Sequence, residues 1–249
     1  KRRLQEAATA AGSSHAGAAA DKERAITATA TLLEPAGAPA PPPGVRVSSF
    51  ADMDIGSQWF AAGRHVPPDL LRASVASVGG GAGAAPTSIQ ASTWSYQLGA
   101  DPPDLVGVSP TGSGKTLAFM VPAFNLVLSA RPDPMRGPSV LVLAPTRELA
   151  MQIEVESHKF GSGLGLRSVC CYGGSPKGEQ LRKMQMGCQI IIGTPGRIND
   201  FREGGQIRFE QVSYLVMDEA DRMLDMGFEP QIRRVVEREI GRASGRERV

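Results

Sequence analysis

Two groups of residues in this chain have the types and spacing needed for phosphate chemistry. The first is Ser109-Pro110-Thr111-Gly112-Ser113-Gly114-Lys115-Thr116; the second is Asp218-Glu219-Ala220-Asp221. In the stretch Thr111, Gly112, Ser113, Gly114 the glycines let the backbone wrap closely around phosphate oxygens with successive N–H groups pointing inward. A helix opening at Lys115 and Thr116 would turn its positive end to the same anion. Lys115 would then reach the β- and γ-phosphate oxygens, and the Thr116 hydroxyl would ligate Mg²⁺. The general pattern has Gly where this chain has the small Ser109. Asp218 and Glu219 follow the apolar run Leu215-Val216-Met217. There Asp218 can hold the metal through water, while Glu219 can orient and deprotonate an attacking water. Alone, the first group could be a Gly/Ser loop with an incidental lysine, and the second a solvated acidic pair. Together they describe a nucleoside triphosphate site.

The elements that must position these residues follow from periodicity. Leu105–Val108, Ser139–Leu143, Arg167–Tyr172, Cys188–Ile192 and Ser213–Met217 are short, mostly apolar runs. Helix-like stretches lie between them at Lys115–Ser129, Glu148–Phe160, Gly178–Met186 and Arg197–Glu203. Strands alternating with helices imply an α/β fold with a parallel sheet. Near-continuous apolar runs imply strands covered by helices on both faces. In such a sheet ligands bind beyond the carboxyl ends of the strands. The phosphate loop, Pro145-Thr146-Arg147, Gly173-Gly174, Thr194-Pro195-Gly196-Arg197 and Asp218-Glu219 all follow apolar runs, so this reading puts them on one rim.

Bulk properties narrow the class. The chain has 249 residues, 41% of them hydrophobic and 21% charged, enough for one large α/β domain with tails. No apolar run is long enough to span a membrane, and no signal-peptide pattern is present. Cys170, Cys171 and Cys188 have no metal-ligand spacing and read as reduced, partly buried thiols. The net charge of +2 resides entirely in Gly241–Val249, so it gives no support to nucleic-acid binding. Residues 1–45, rich in Ala, Gly, Ser, Thr and Pro, read as a disordered tail. Val78–Ala85 reads as a second flexible stretch. Lys1 stands where a start Met would, so the expectation is that the natural N-terminus lies upstream. Glu239–Val249 resembles the conceptual translation of a sequencing adapter and is read as non-native, leaving residues 46–238 as the folded domain.

Taken as a set, the rim segments resemble the DEAD-box family of ATP-dependent RNA helicases, in its first RecA-like domain. The resemblance rests on Pro86-Thr87-Ser88-Ile89-Gln90, the phosphate loop and Pro145-Thr146-Arg147-Glu148-Leu149-Ala150. It rests equally on Gly173-Gly174, Thr194-Pro195-Gly196-Arg197, and Asp218-Glu219-Ala220-Asp221 running on to Gly227-Phe228. Tyr172–Gly178 and Asn199-Asp200-Phe201 resemble the plant-type branch related to nuclear splicing-associated helicases. The resemblance implies a RecA-like P-loop NTPase domain that uses ATP and Mg²⁺, with Lys115, Asp218 and Glu219 catalytic. Gln90 would read adenine through its amide. Pro145, Thr146, Arg147, Gly173, Gly174, Thr194, Pro195, Gly196 and Arg197 would hold the RNA sugar-phosphate backbone without reading sequence. Contacts to 2′-hydroxyls would favour RNA over DNA. The implied compartment is the nucleus, with the cytoplasm as the alternative.

The chain departs from the family pattern in places. The aromatic expected to stack on adenine is displaced; Phe60 is the first candidate and Phe50 the second, with core packing the other reading for both. Gly56–His65 resembles an insertion, and Asp101-Pro102-Pro103 lengthens the turn before the phosphate loop. Nothing after Phe228 resembles the second RecA-like domain, which in the family supplies arginine fingers and the other half of the RNA clamp. The fragment alone is therefore expected to bind ATP weakly and hydrolyse it negligibly. Two other classes fit parts of the sequence. One is a DNA-directed P-loop motor, against which Gln90 and the acidic tetrad argue. The other is a non-enzymatic RNA scaffold, against which the intact Lys115, Thr116, Asp218 and Glu219 argue.

Overall fold

The computed structural model describes residues 85–97 and 104–236. Four short strands form one parallel sheet: β1 (Val140–Leu143), β2 (Ser168–Cys171), β3 (Ile190–Gly193) and β4 (Tyr214–Met217). Their order across the sheet is β2-β3-β1-β4. The helices are α1 (Ser88–Gln97), α2 (Lys115–Ala130), α3 (Arg147–Gly161), α4 (Lys177–Gln185), α5 (Pro195–Glu203), α6 (Ala220–Asp225) and α7 (Glu229–Val235).

Both faces of the sheet are apolar because successive side chains of a strand point to opposite sides. Val140, Val142, Cys170, Ile190 and Ile192 pack on one face with Trp94 of α1, Phe124 of α2 and Ile153 of α3. Leu141, Leu143, Val169, Cys171 and Ile191 pack on the other with Met184 of α4, Phe201 of α5, Met223 of α6 and Val235 of α7. The result is the expected three-layer α/β architecture. β1 and β3 are buried throughout, which explains their unbroken runs of Val, Leu and Ile.

One predicted strand is missing from the sheet. Leu105–Val108 contributes a single bridge at Val106, and Val106 and Val108 are 56% and 60% exposed. An apolar run of four becomes a sheet strand only where a free edge and helical cover meet it. Among the described residues β1 is flanked on both sides by β3 and β4, and β4, at the outer edge, is only half-buried. The phosphate loop therefore reaches the rim on the start of α2, not on a strand of this sheet.

The three cysteines are buried free thiols, as expected, and burial pushes Cys170 and Cys188 up to about 12. No described helix is long and apolar enough to cross a membrane. The expectations for residues 1–84 and 239–249, including those for Phe50 and Phe60, and the one for Asp101-Pro102-Pro103 lie outside the described residues.

Candidate nucleotide and RNA site

The phosphate loop is a tight turn closed by its own groups. Gly112 and Gly114 take φ of 75° and 88°, the left-handed region that glycine enters without penalty. The Ser109 and Ser113 hydroxyls bond to each other. Lys115 Nζ donates to the carbonyls of Ser109 at 2.7 Å and Pro110 at 3.4 Å, so its stem arches over the loop. Gly114 caps α2, and Lys115 and Thr116 open it, as the sequence predicts.

Gln90 is 1% exposed and fastened to this loop. Its Oε1 accepts from the Thr87 N–H at 3.0 Å, and its Nε2 donates to the Gly114 carbonyl at 3.2 Å. A Cβ at Gly114 would stand 2.5 Å from Gln90 Nε2, so only glycine permits this approach. Sequence reasoning assigned Gln90 to adenine and did not foresee this tie. The amide keeps one further donor and one further acceptor position.

Asp218 and Glu219 sit where β4 ends. The Asp218 N–H donates to the Leu143 carbonyl of β1 at 2.9 Å, and Asp218 Oδ1 accepts from the Glu219 N–H at 3.1 Å. Burial raises the Asp218 pKa, and Glu219 and Asp221 add to the rise. Lys115 opposes it, which requires the lysine charge to lie within electrostatic reach of this carboxylate. Lys115 and Asp218, 103 positions apart in sequence by their residue numbers, thus lie within electrostatic reach of each other, with the lysine amine bonded to its own loop. Among the described residues no group of three or more His, Cys, Asp or Glu is built to hold a metal.

Glu219 is one of two described non-glycine residues at positive φ, with φ 50° and ψ 48°. This costs about 1–2 kcal/mol and recurs at functional sites. Three bonds hold it there. They are Asp218 Oδ1 on its N–H, the Met223 N–H on its carbonyl at 3.0 Å, and Arg222 Nη1 on its Oε2 at 3.0 Å. The i,i+3 spacing of Glu219 and Arg222 was a legible signal for that pair.

The remaining loops line the same rim in the lateral order of their strands. They are stitched side to side: the Thr194 N–H donates to the Cys171 carbonyl, and the Ala144 N–H to the Gly193 carbonyl, both at 3.0 Å. Gly173-Gly174, Thr194–Arg197 and Pro145–Arg147 are thereby contiguous, with Asp218-Glu219 beyond them.

Exposure divides the nine residues assigned to RNA. Arg147, Gly173, Gly174 and Gly196 are exposed. Thr146 and Thr194 are half-buried, and Thr146 Oγ1 caps α3 by accepting from the Leu149 N–H at 3.2 Å. Pro145, Pro195 and Arg197 are buried. Arg197 is the departure from expectation. At 9% exposed, its guanidinium bonds inward to Gln180 and Ser175, because those groups and Asp200 satisfy it beneath the rim. Gln180 carried no sequence signal, being a polar residue on an ordinary amphipathic helix.

Comparison with known proteins agrees with this geometry. A profile described as DEAD/DEAH box helicase matches residues 87–244. The chain is 52% identical over 171 residues to the Arabidopsis thaliana DEAD-box ATP-dependent RNA helicase 40, covering 69% of this chain and 15% of that protein. It is 53% identical over 152 residues to the Nicotiana sylvestris ATP-dependent RNA helicase-like protein DB10, covering 61% and 25%. It is 53% identical over 154 residues to the Scheffersomyces stipitis ATP-dependent RNA helicase DBP2, covering 61% and 28%. The crystal structure of the yeast DEAD-box splicing factor Prp28 superimposes with a TM-score of 0.66 at 32% identity, over 79% of this chain and 45% of that one. The chain thus spans between 15% and 28% of the length of these curated relatives. With the motifs, the parallel sheet and the sequence match in agreement, the chain belongs to the DEAD/DEAH box helicase family.

Proposed function

We propose that this chain is the ATP-binding half of an ATP-dependent RNA helicase, taking ATP-Mg and the RNA sugar-phosphate backbone on one rim. The observation that carries this reading is the rim itself: Asp218-Glu219 follow β4 beside the three candidate RNA loops on one sheet edge, Gln90 is tied to the phosphate loop, and Lys115 lies within electrostatic reach of Asp218. Lys115 exchanges the Ser109 and Pro110 carbonyls for phosphate oxygens, and Gln90 offers its remaining donor and acceptor to adenine. The Thr116 hydroxyl and Asp218 would hold Mg²⁺, which when bound would neutralise charge on the β- and γ-phosphates. A carboxylate whose charge is opposed by burial and by two acidic neighbours is a place where a cation is favoured. Glu219 accepts the proton of the attacking water.

On the RNA side, Arg147 and the N–H groups of the glycine and threonine turns bind phosphates and leave the bases unread. The exposed glycines Gly173 and Gly196 leave open space for a backbone to approach. Turnover and strand separation belong to the longer protein, for which we infer the nucleus as its compartment.

The test is ATP turnover by the full-length protein with single-stranded RNA and, separately, with DNA of the same sequence. Stimulation by RNA and not DNA, abolished by Glu219→Gln, is expected. Equal stimulation by both nucleic acids, or turnover indifferent to Glu219→Gln, would refute the reading.

A further inference from the structure

Arg197 makes contacts on four sides. Nη1 donates to Gln180 Oε1 at 3.1 Å, and Nη2 donates to the Ser175 carbonyl at 3.0 Å. Nε lies 3.7 Å from Asp200 Oδ2, and the guanidinium stands 5.6 Å from the centre of the Phe201 ring. The contacts continue outward. Gln180 Nε2 donates to the Tyr172 carbonyl at 3.1 Å, and the Tyr172 ring carries the Arg147 guanidinium at 4.8 Å. On the far side Asp200 also pairs with Lys177 at 2.8 Å. One chain of contacts therefore runs from α5 through α4 to the start of α3, beneath three of the rim loops.

Tyr172 and Ser175 bracket Gly173-Gly174, and both give their carbonyls to this network. A Cβ on either glycine would meet nothing within 4 Å, and Gly174 takes φ 76°. The glycine loop has no packing of its own on that side, so bonds to its flanking carbonyls set its shape. An arginine suits the task because its planar fork addresses two acceptors at once, which a lysine cannot match. Its burial is compensated by Asp200 and by both acceptors.

We infer that Arg197 and Gln180 are positioning residues that hold the Gly173-Gly174 loop in its RNA-receptive shape, and that Arg197 does not itself touch RNA. This rests on the RNA-binding role proposed above for the rim. It departs from the expectation of a direct phosphate contact, and it brings in Gln180.

The test uses the full-length protein with Gln180→Leu, Gln180→Glu, Arg197→Lys and the Gln180→Leu/Arg197→Lys double variant. The readouts are the RNA concentration giving half-maximal ATPase stimulation, the KM for ATP, and amide hydrogen exchange at residues 173–178. Gln180→Leu is expected to raise the half-saturating RNA concentration about tenfold and to quicken exchange, with the KM for ATP within about twofold. Gln180→Glu keeps an acceptor for Arg197 and loses the donor to Tyr172, so an intermediate effect is expected. The double variant should be no worse than the stronger single, since both act through one brace. If Arg197→Lys weakens RNA while Gln180→Leu changes neither RNA nor exchange, Arg197 is a direct contact and the inference is wrong. If the unaltered protein does not respond to RNA, the proposed function fails, and exchange alone then decides the brace: unchanged protection in Gln180→Leu overturns it. Should Arg197→Lys not fold, the two Gln180 variants carry the same decision.

Discussion

At the scale of single residues, the site depends on positions where one atom too many, or one charge too many, changes the outcome. Gly114 has both a positive φ and Gln90 Nε2 within 2.5 Å of where a Cβ would lie. Gly114→Ala should therefore cost about 1–3 kcal/mol and raise the KM for ATP at least tenfold, measured by thermal melting and by ATPase titration. Asp218 presents the opposite case, a group whose ionisation the fold resists. Its pKa is raised chiefly by burial, so the native state holds a proton more readily than the unfolded chain does. Ionised Asp218 therefore lowers stability at neutral pH, and that deficit is relieved as pH falls through the folded-state pKa toward the ordinary carboxylate value. Asp218→Asn keeps an acceptor for the Glu219 N–H and removes the charge. It should raise the melting temperature at pH 7 by about 2 °C while abolishing turnover, with the gain shrinking in acid. A fall in melting temperature at pH 7 would contradict the account.

At the scale of elements, a residue at the start of a rim helix can serve the helix as well as a ligand. Thr146 does both, because its hydroxyl caps α3 while its segment is a candidate RNA contact. Thr146→Ala should lose about 1 kcal/mol of stability, seen in denaturant melts, whereas Thr146→Ser should keep nearly all of it. RNA affinity measured on the same two variants separates the cap from the contact. The strands were legible because β1 and β3 are buried on both faces and must be apolar at every position. The four helices α2 to α5 were legible from their alternation with those runs, and their ends matched to within two residues, whereas α1, α6 and α7 do not lie between such runs and were not foreseen. The failure at Leu105–Val108 has the same root. Four apolar residues state a preference for burial, but a strand also needs a free edge under helical cover, and no local pattern reports that β4, which has the edge, is only half-buried.

At the scale of the whole molecule, the rim is a continuous surface with the acidic couple at one end and the glycine loop at the other. Backbone recognition makes binding depend on salt. Arg147, exposed and seated on Tyr172, is the side chain proposed to neutralise a phosphate. Arg147→Ala should weaken binding equally for RNAs of different sequence and flatten the slope of log affinity against log salt by about 0.7. Loss confined to particular sequences would mean that this arginine reads bases. The chemistry was set by the sequence alone: the phosphate loop, the acidic couple and the alternation of strands and helices are contiguous patterns, so neighbouring residues suffice to define them. The tertiary structure alone decided the lateral order of the loops, the tie of Gln90 to Gly114, the inward turn of Arg197 toward Gln180, and the exclusion of Leu105–Val108 from the sheet. Each of these depends on which partner lies across the fold, and burial and hydrogen-bond satisfaction select that partner only once the chain has packed.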